Sequence, residues 1–353
     1  MTKLTKLRNV LKEKDLDAIL ITNPYNRHYL SNFTGTSGNL LITLNDAILI
    51  TDFRYIEQAN DQAKEFDIVE HTGPILNEIN NQLNENGIKR LAFEENQVTY
   101  KEHTEYSKLF KVELIPTSEI IENIRIIKTD EEITIMQEAA RIADNAFTKI
   151  LDFIKPGVKE IEVANELEKL MRAEGATSSS FDIIVASGYR GALPHGVASE
   201  KEIQSGELVT MDFGALYQGY CSDITRTIAV GEISEELKDI YNTVLQAQIL
   251  GVEGIKQGIT GKEADALTRD YITEKGYGKY FGHSTGHGLG LEVHENPRLA
   301  SNSETVLQTN MAVTVEPGIY IPDVGGCRIE DDIIVTDDGN KCLTHSNKEL
   351  IIL

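Results

Sequence analysis

Short apolar runs alternate with helical periodicity through the first third of the chain. Strand-like runs occur at 17–22, 40–44, 47–51, 66–70, 90–94 and 111–115. The apolar spacing at 4–14 and 75–86 is that of amphipathic helices. Asn45 and Asp46 separate two of the runs and predict a tight hairpin. Residues 1–125 are therefore predicted to form a small α/β domain.

After a segment at 116–128 that we interpret as a linker, the pattern changes to long helices and β-branched runs. Thr129 with Glu132, and Thr260 with Glu263, form capping boxes at the start of two helices. A helix is also predicted at about 159–173, and another from residue 234. The resulting order is helix, helix and hairpin, and the same order follows once more.

A weak internal repeat supports this duplication. Gly157 corresponds to Gly258, and Gly175 to Gly276, both at an offset of 101 residues. A duplicated unit predicts that its two hairpins lie side by side around a pseudo-twofold axis.

The first hairpin carries two aspartates. Its two β-branched runs, within 207–230, are broken at Gln218-Gly219. If the hairpin is centred between Tyr217 and Gln218, Asp212 and Asp223 face each other with Cβ atoms about 5 Å apart. Two carboxylates at this distance repel each other. We therefore predict a divalent cation between them, the alternative being a solvated face of the hairpin.

The second hairpin carries a matching acid pair. Its runs, 312–320 and 327–336, place Glu316 and Glu330 symmetrically about Asp323. A glycine-rich loop at 281–298 precedes it and contains three histidines. Carboxylates suit manganese, magnesium or calcium, while imidazole favours transition metals. Two acid pairs and a histidine predict a site for two ions about 3.5–4 Å apart that activate a water molecule. A structural calcium site is the weakest alternative.

Composition narrows the class of protein. The 353 residues include 34 Lys and Arg against 56 Asp and Glu, giving a net charge of −22. Nucleic-acid binding needs basic patches and is disfavoured. No apolar run approaches the length of a membrane span, and the N-terminus lacks the apolar region of a signal peptide. Three cysteines argue against a disulfide scaffold. We expect a cytoplasmic protein that binds neither nucleic acid nor membranes.

The motifs ALPHGVAS, TMDFGALYQGYCSDITRT, HSTGHGLGLEVHE, VTVEPGIYIP and GGCRIEDD resemble those of the M24 metallopeptidases, which have the pita-bread fold. The resemblance covers essentially the whole chain. It implies an α/β (α+β) fold, with a creatinase-like domain at 1–125 and a pita-bread catalytic domain of pseudo-twofold ααββ repeats at 126–353. Methionine aminopeptidase lacks the N-terminal domain and creatinase lacks the full ligand set, which leaves cleavage of Xaa-Pro bonds.

The resemblance also implies site residues. Two divalent ions per subunit would be bound, manganese being the first choice and cobalt, zinc or iron the alternatives. Their ligands would be Asp212, Asp223, His287, Glu316 and Glu330. Glu316 would also accept the proton of the attacking water. His294 and His195 would stabilise the tetrahedral intermediate and assist the leaving nitrogen. His283 would line the pocket, and Arg328 would contact the metal carboxylates.

Substrate length is left open by two conflicting signals. Arg298 lies where prolidases have an arginine that binds the free carboxylate of a dipeptide, a bidentate role that suits arginine. The segment 51–55 is instead more similar to aminopeptidase P. We predict a homodimeric Xaa-Pro dipeptidase acting on small peptides. The alternatives are an aminopeptidase P acting on longer peptides and an inactive peptide-binding module.

Overall fold

The computed structural model describes residues 1–353. The chain divides into two compact units, Met1–Arg125 and Ile126–Leu353. None of the helices combines the length and the apolar character needed to cross a membrane.

The first unit is built on a six-stranded mixed sheet. Its strands are β1 Ala18–Ile21, β2 Asn39–Thr43, β3 Ala47–Thr51, β4 Asp67–Glu70, β5 Arg90–Glu94 and β6 Glu113–Thr117. They lie in the order β4-β3-β2-β1-β5-β6. The pairs β1–β2 and β2–β3 are antiparallel, whereas β3–β4, β1–β5 and β5–β6 are parallel. All six predicted strands are confirmed, and so is the hairpin between β2 and β3.

Six helices accompany this sheet: α1 Lys3–Glu13, α2 Pro24–Ser31, α3 Ile56–Gln62, α4 Ile75–Glu85, α5 Tyr100–Leu109 and α6 Ile120–Arg125. The two predicted helices are α1 and α4. The boundary between the units falls within the predicted linker at 116–128, but most of this stretch has regular structure, because it contains the end of β6 and all of α6. Ile120, Ile121 and Ile124 of α6 are buried. Their spacing is that of a helix face, which the polar residues before them obscured.

The second unit contains two repeats, each of two helices followed by a hairpin. The first has α7 Asp130–Ile150, α8 Glu160–Ala173, β7 Ser178–Ser179, β8 Ile184–Ser187, β9 Glu207–Phe213, β10 Ala215–Tyr217, β11 Tyr220–Cys221 and β12 Ile224–Val230. The second has α9 Glu235–Gly254, α10 Gly261–Glu274, β13 Gly286–Gly288, β14 Glu295–Leu299, β15 Ala312–Val315, β16 Gly318–Ile321, β17 Gly325–Arg328, β18 Asp331–Val335 and β19 Asn340–Cys342. Short 3-10 helices lie at Gly188–Ala192 and Gly278–Tyr280. The predicted fold class is confirmed.

Local sequence signals account for the helix ends and the core of this unit. Both predicted capping boxes are formed, each with the threonine and the glutamate bonded reciprocally to the backbone. The apolar faces of α7 and α8 pack on β9 and β12, where Phe147, Leu167, Met211 and Ile228 are buried in one cluster.

The registers of the two hairpins differ in how well they were predicted. Gln218 (φ 48°) and Gly219 (φ 84°) form the turn of the first, as a two-residue hairpin loop with two left-handed residues requires. Asp212 therefore pairs with Thr225, and the predicted pairing with Asp223 is wrong by two residues. In the second hairpin Val315 pairs with Asp331, which confirms the predicted register around Glu316 and Glu330.

The two hairpins lie side by side and are joined by hydrogen bonds. The backbone N–H of Glu330 donates to the carbonyl of Thr225 over 3.1 Å. Two residues away, the hydroxyl of Thr227 donates to the carbonyl of Arg328 over 2.8 Å. These contacts bring the acidic residues of both repeats into one place.

Candidate active site

The centre of the site is a buried cluster of carboxylates and one imidazole. Donor atoms of Asp223, His287 and Glu330 all lie within 4.8 Å of one another. Glu316 Oε1 is 3.3 Å from His287 Nε2. The charge of Asp212 raises the pKa of Asp223, Glu316 and Glu330, although burial is the larger cause for each of them. The structure thus brings all five predicted ligands together.

This cluster fits divalent cations. The Oδ1 atoms of Asp212 and Asp223 are buried and have no hydrogen-bond partner, which is costly for a carboxylate unless a cation binds there. Burial raises the pKa of Asp223 and of Glu330 well above the ordinary range, and it raises the pKa of Glu316 to about 8. Ions at this position would replace the protons that these groups otherwise hold.

The imidazole of His287 is oriented by its backbone. Its Nδ1 lies 3.0 Å from the carbonyl of Gly288, which can only accept a hydrogen bond. Nδ1 therefore carries the proton, and the lone pair of Nε2 faces Glu316 and Asp223. Burial lowers the pKa of His287 and favours the neutral ring. A neutral ring held by a backbone carbonyl is typical of a metal ligand.

Two threonine hydroxyls hold two of the carboxylates. Thr225 donates to Glu330 Oε2 over 2.6 Å, and it accepts the Nε–H of Arg328 at 3.1 Å. Thr314 donates to Glu316 Oε1 over 3.1 Å and accepts the backbone N–H of His287 at 3.1 Å. Each hydroxyl oxygen accepts a hydrogen bond from an N–H group. The hydroxyl proton is therefore directed at the carboxylate.

A further carboxylate, Asp332, supports the backbone of a ligand. Asp332 Oδ2 accepts the N–H of Asp223 at 2.8 Å. Asp223 precedes β12 and lies beside Gly214, where a Cβ would lie 1.8 Å from the carbonyl oxygen of Ser222. Asp332 is fully buried, and burial raises its pKa.

Arg328 links Asp212 to a tyrosine and a histidine. Its guanidinium donates to Asp212 Oδ2 over 2.5 Å and to the hydroxyl of Tyr320 over 2.8 Å. Tyr320 lies 2.8 Å from Nε2 of His283, whose Nδ1 is 2.8 Å from the carbonyl of Ser284. Both nitrogens of His283 are therefore engaged, and burial lowers its pKa to about 4. His283 lines the site as a neutral ring.

Three other predicted residues remain accessible. The side chains of His195, His294 and Arg298 are exposed and make no hydrogen bond or ion pair within the chain. The ring of His294 lies 4.5 Å from that of His287, centroid to centroid. Arg298 on β14 pairs directly with His287 on β13. All three can bind a molecule that enters the site.

Sequence reasoning did not single out Thr225, Thr314, Tyr320 or Asp332. A signal existed for three of them, because side chains two residues apart on a strand share a face. Thr225 follows Asp223, Thr314 precedes Glu316, and Asp332 follows Glu330 by this interval. Nothing in the sequence indicated that Tyr320 would join Arg328 to His283.

The duplicated helix–helix–hairpin unit places an oxygen-rich set of ligands for divalent cations at its centre, which defines a metal-binding protein. Residues 134–337 match the profile of "Metallopeptidase family M24", and residues 3–127 match "Creatinase/Prolidase N-terminal domain". The chain belongs to metallopeptidase family M24, as its motifs indicated.

Individual relatives agree with this assignment. The structure of an Xaa-Pro dipeptidase from Bacillus anthracis is similar at a TM-score of 0.98 and 63% identity, with 99% of each chain covered. An Xaa-Pro dipeptidase of Pyrococcus horikoshii is 45% identical over 99% of this chain and 98% of its own length. The structure of an X-Pro aminopeptidase from Thermotoga maritima is similar at a TM-score of 0.92 and 39% identity, covering 96% of this chain and 98% of its own.

Proposed function

We propose that the protein is a metal-dependent Xaa-Pro dipeptidase that releases proline from dipeptides. The observation that carries this proposal is the position of Arg298, an exposed and unpaired guanidinium directly across the strand pair from His287. A dipeptide with its scissile bond at the cluster has its free carboxylate only a few atoms away. Arginine binds such a carboxylate through two parallel hydrogen bonds. The two relatives named as Xaa-Pro dipeptidases support the same activity.

Two divalent ions, manganese being our first choice, are proposed to be held by the five clustered residues Asp212, Asp223, His287, Glu316 and Glu330. When bound, such ions polarise the scissile carbonyl and make water a better nucleophile. Oxygen donors dominate the cluster and suit manganese, while the single imidazole is compatible with cobalt, zinc or iron.

The chain's own residues would then move the protons. Glu316 accepts a proton from the attacking water, since Thr314 holds Oε1 and leaves Oε2 available. The exposed imidazoles of His195 and His294 donate hydrogen bonds to the oxygen that becomes negative. One of them protonates the proline nitrogen, which cannot leave without a proton. Arg328 fixes Asp212 and does not need to contact the peptide.

A second candidate function is an X-Pro aminopeptidase acting on longer peptides. It is favoured by the similarity to the Thermotoga maritima X-Pro aminopeptidase, which extends over nearly the whole of both chains. In that case Arg298 would contact the peptide chain after proline instead of a terminal carboxylate.

Kinetics on two substrates separate the candidates. Protein depleted of metal and reloaded separately with manganese, cobalt, zinc or iron is assayed on Xaa-Pro and on Xaa-Pro-Yaa-Zaa. We expect higher kcat/KM on the dipeptide. A clear preference for the longer peptide would establish the aminopeptidase, and no hydrolysis of either with any metal would leave a peptide-binding module.

Three further features belong to the proposal. Residues 1–125 and 126–353 are taken as an N-terminal creatinase-like domain and the catalytic domain. The family resemblance suggests a homodimer, which light scattering after gel filtration would measure. The three free cysteines, two of them buried, are consistent with a reducing cytoplasm. Localisation of the tagged protein would test that compartment.

A further inference from the structure

Another buried carboxylate, Glu160, lies outside the metal cluster and accepts hydrogen bonds from five donor groups. It is the first residue of α8 and is fully buried. Its Oε1 accepts the N–H and the hydroxyl of Ser187 at 2.7 and 2.8 Å. Its Oε2 accepts the N–H and the hydroxyl of Ser199 at 3.2 and 2.6 Å, together with a guanidinium N–H of Arg190.

These three donor residues belong to one segment, 187–199, which also carries His195. Ser187 stands at its start, Arg190 within it and Ser199 at its end, so a single carboxylate holds both ends of the loop. Arg190 extends the hold by donating to the carbonyl of Val197 over 2.8 Å.

Apolar burial does little to fix this loop. Tyr189, Leu193 and Val197 are 62%, 51% and 52% exposed. Ordering a loop costs conformational entropy, which buried side chains usually offset. The loop is held instead by polar and backbone contacts, among which are the hydrogen bonds to Glu160 and the close approach of Gly191 to the backbone of Gly326 on β17.

The tip of the loop is attached to the metal cluster. Arg328 donates to the carbonyl of Pro194 over 3.1 Å and also holds Asp212. We propose that Glu160 is a positioning residue for His195, because it fixes the base of the loop whose tip Arg328 holds beside the cluster. The part of this inference that concerns catalysis rests on the role proposed above for His195.

In the second repeat, the equivalent helix end lies against Arg298, the residue proposed above to bind the substrate carboxylate. At the repeat offset of 101 residues, Glu160 corresponds to Gly261, the first residue of α10. A Cβ on Gly261 would lie 2.2 Å from the carbonyl oxygen of Arg298. The helix end therefore touches the backbone of Arg298 directly, whereas in the first repeat a side chain spans the gap.

The first test measures hydrogen exchange of the loop in Glu160→Gln. Glu162→Gln is the matched control, because Glu162 lies in the same helix turn and bonds only to the N–H of Lys159. We expect faster exchange within 188–199 in Glu160→Gln alone, with unchanged exchange in the hairpin at 207–230. Unchanged loop exchange, or an equal increase throughout the molecule, would overturn the proposal.

The second test is a double-mutant cycle with His195→Ala, on metal-loaded protein of equal metal content. A misplaced imidazole should lower kcat by about 10- to 100-fold, with a change in KM of less than about threefold. In the His195→Ala background, Glu160→Gln should then cost almost nothing more. If Glu160→Gln lowers kcat by the same factor in the wild-type and the His195→Ala backgrounds, Glu160 does not act through His195.

Two provisions keep both outcomes informative. Glu160→Gln leaves Arg190 without its counter-charge, and the variant can fail to fold for that reason. In that case Ser199→Ala is used instead, because it removes one donor and keeps the ion pair. Ser199→Ala must then show the same localised increase in exchange and the same result in the double-mutant cycle. If the wild-type protein cleaves no Xaa-Pro peptide, the proposed function fails, and the exchange experiment alone decides whether Glu160 holds the loop.

Discussion

Thr225 and Glu330 belong to different repeats, yet the hydroxyl of Thr225 donates to Glu330 Oε2 over 2.6 Å. The bond fixes one oxygen of a candidate metal ligand and leaves the other free. It therefore couples the geometry of the metal centre to the contact between the two hairpins.

Replacing Thr225 with valine should weaken metal binding by about 10- to 100-fold, the usual effect of removing a residue that orients a ligand. Titration calorimetry with manganese on the chelated protein measures this. Thr210→Val is the matched control, since Thr210 bonds to Thr227 and touches no carboxylate. Equal affinities in the two variants would contradict the orienting role of Thr225.

Replacing Arg298 with alanine should lower kcat/KM for Xaa-Pro by about 10- to 100-fold, because a charge-assisted hydrogen bond contributes about 1.5–3 kcal/mol. Turnover of Xaa-Pro-Yaa-Zaa should change much less, since its carboxylate lies farther along the chain. Arg298→Lys keeps the charge without the bidentate geometry and should be intermediate. Equal losses on both peptides would remove the carboxylate-binding role of Arg298.

Metal-free wild-type protein should lose stability relative to Glu316→Gln as the pH rises. Burial raises the pKa of Glu316 to about 8, while an unfolded glutamate has a pKa of about 4.3. Between these values the folded state holds a proton that the unfolded chain has released. The contribution of Glu316 to the free energy of unfolding is therefore complete below about pH 4 and lost by about pH 8.

The size of this effect is about 1.4 kcal/mol for each unit of pKa difference. Urea unfolding of both chelated proteins between about pH 5 and pH 8 gives the difference in unfolding free energy. A difference that does not vary with pH would show that Glu316 is ionised in the folded state.

His283 should remain neutral, with its proton on Nδ1, throughout the range from about pH 5 to pH 8. Its pKa is lowered to about 4, chiefly by burial, and Nε2 accepts from Tyr320 once Nδ1 donates to Ser284. Nitrogen-15 NMR of labelled histidine, assigned with His283→Gln, reports the tautomer directly. Tyr320→Phe should shift the Nε2 resonance alone. A ring that titrates in this range would refute the assignment.

Local signals in the sequence were sufficient for most of the fold. The capping boxes at Thr129 and Thr260 and the period-2 runs of the hairpins lie within a few residues of the structure they specify. The first hairpin was misregistered because its centre was placed between Tyr217 and Gln218, although the sequence breaks at Gln218-Gly219. The left-handed backbone of Gln218 and Gly219 shows that these two residues form the turn, which shifts the pairing by two residues.

The ligands of the candidate site could be predicted from the sequence, whereas the hydrogen bonds that hold these ligands in place could not. Carboxylates with no obvious partner, such as Asp212 and Glu330, are conspicuous in an apolar strand. The hydroxyl of Thr225 and the carboxylate of Glu160 are not conspicuous, because the partner of Thr225 lies about a hundred residues away and the partners of Glu160 lie in the segment 187–199. Their roles depend on which elements pack together, which the local pattern does not specify.

Each repeat supports a ligand supplied by the other, since Thr225 holds Glu330 and Asp332 holds the backbone of Asp223. If the repeats were separate chains, the metal centre would exist only at the interface of a dimer and would disappear on dilution. Because both repeats belong to one polypeptide, their association is intramolecular. The assembly of the centre is therefore independent of protein concentration.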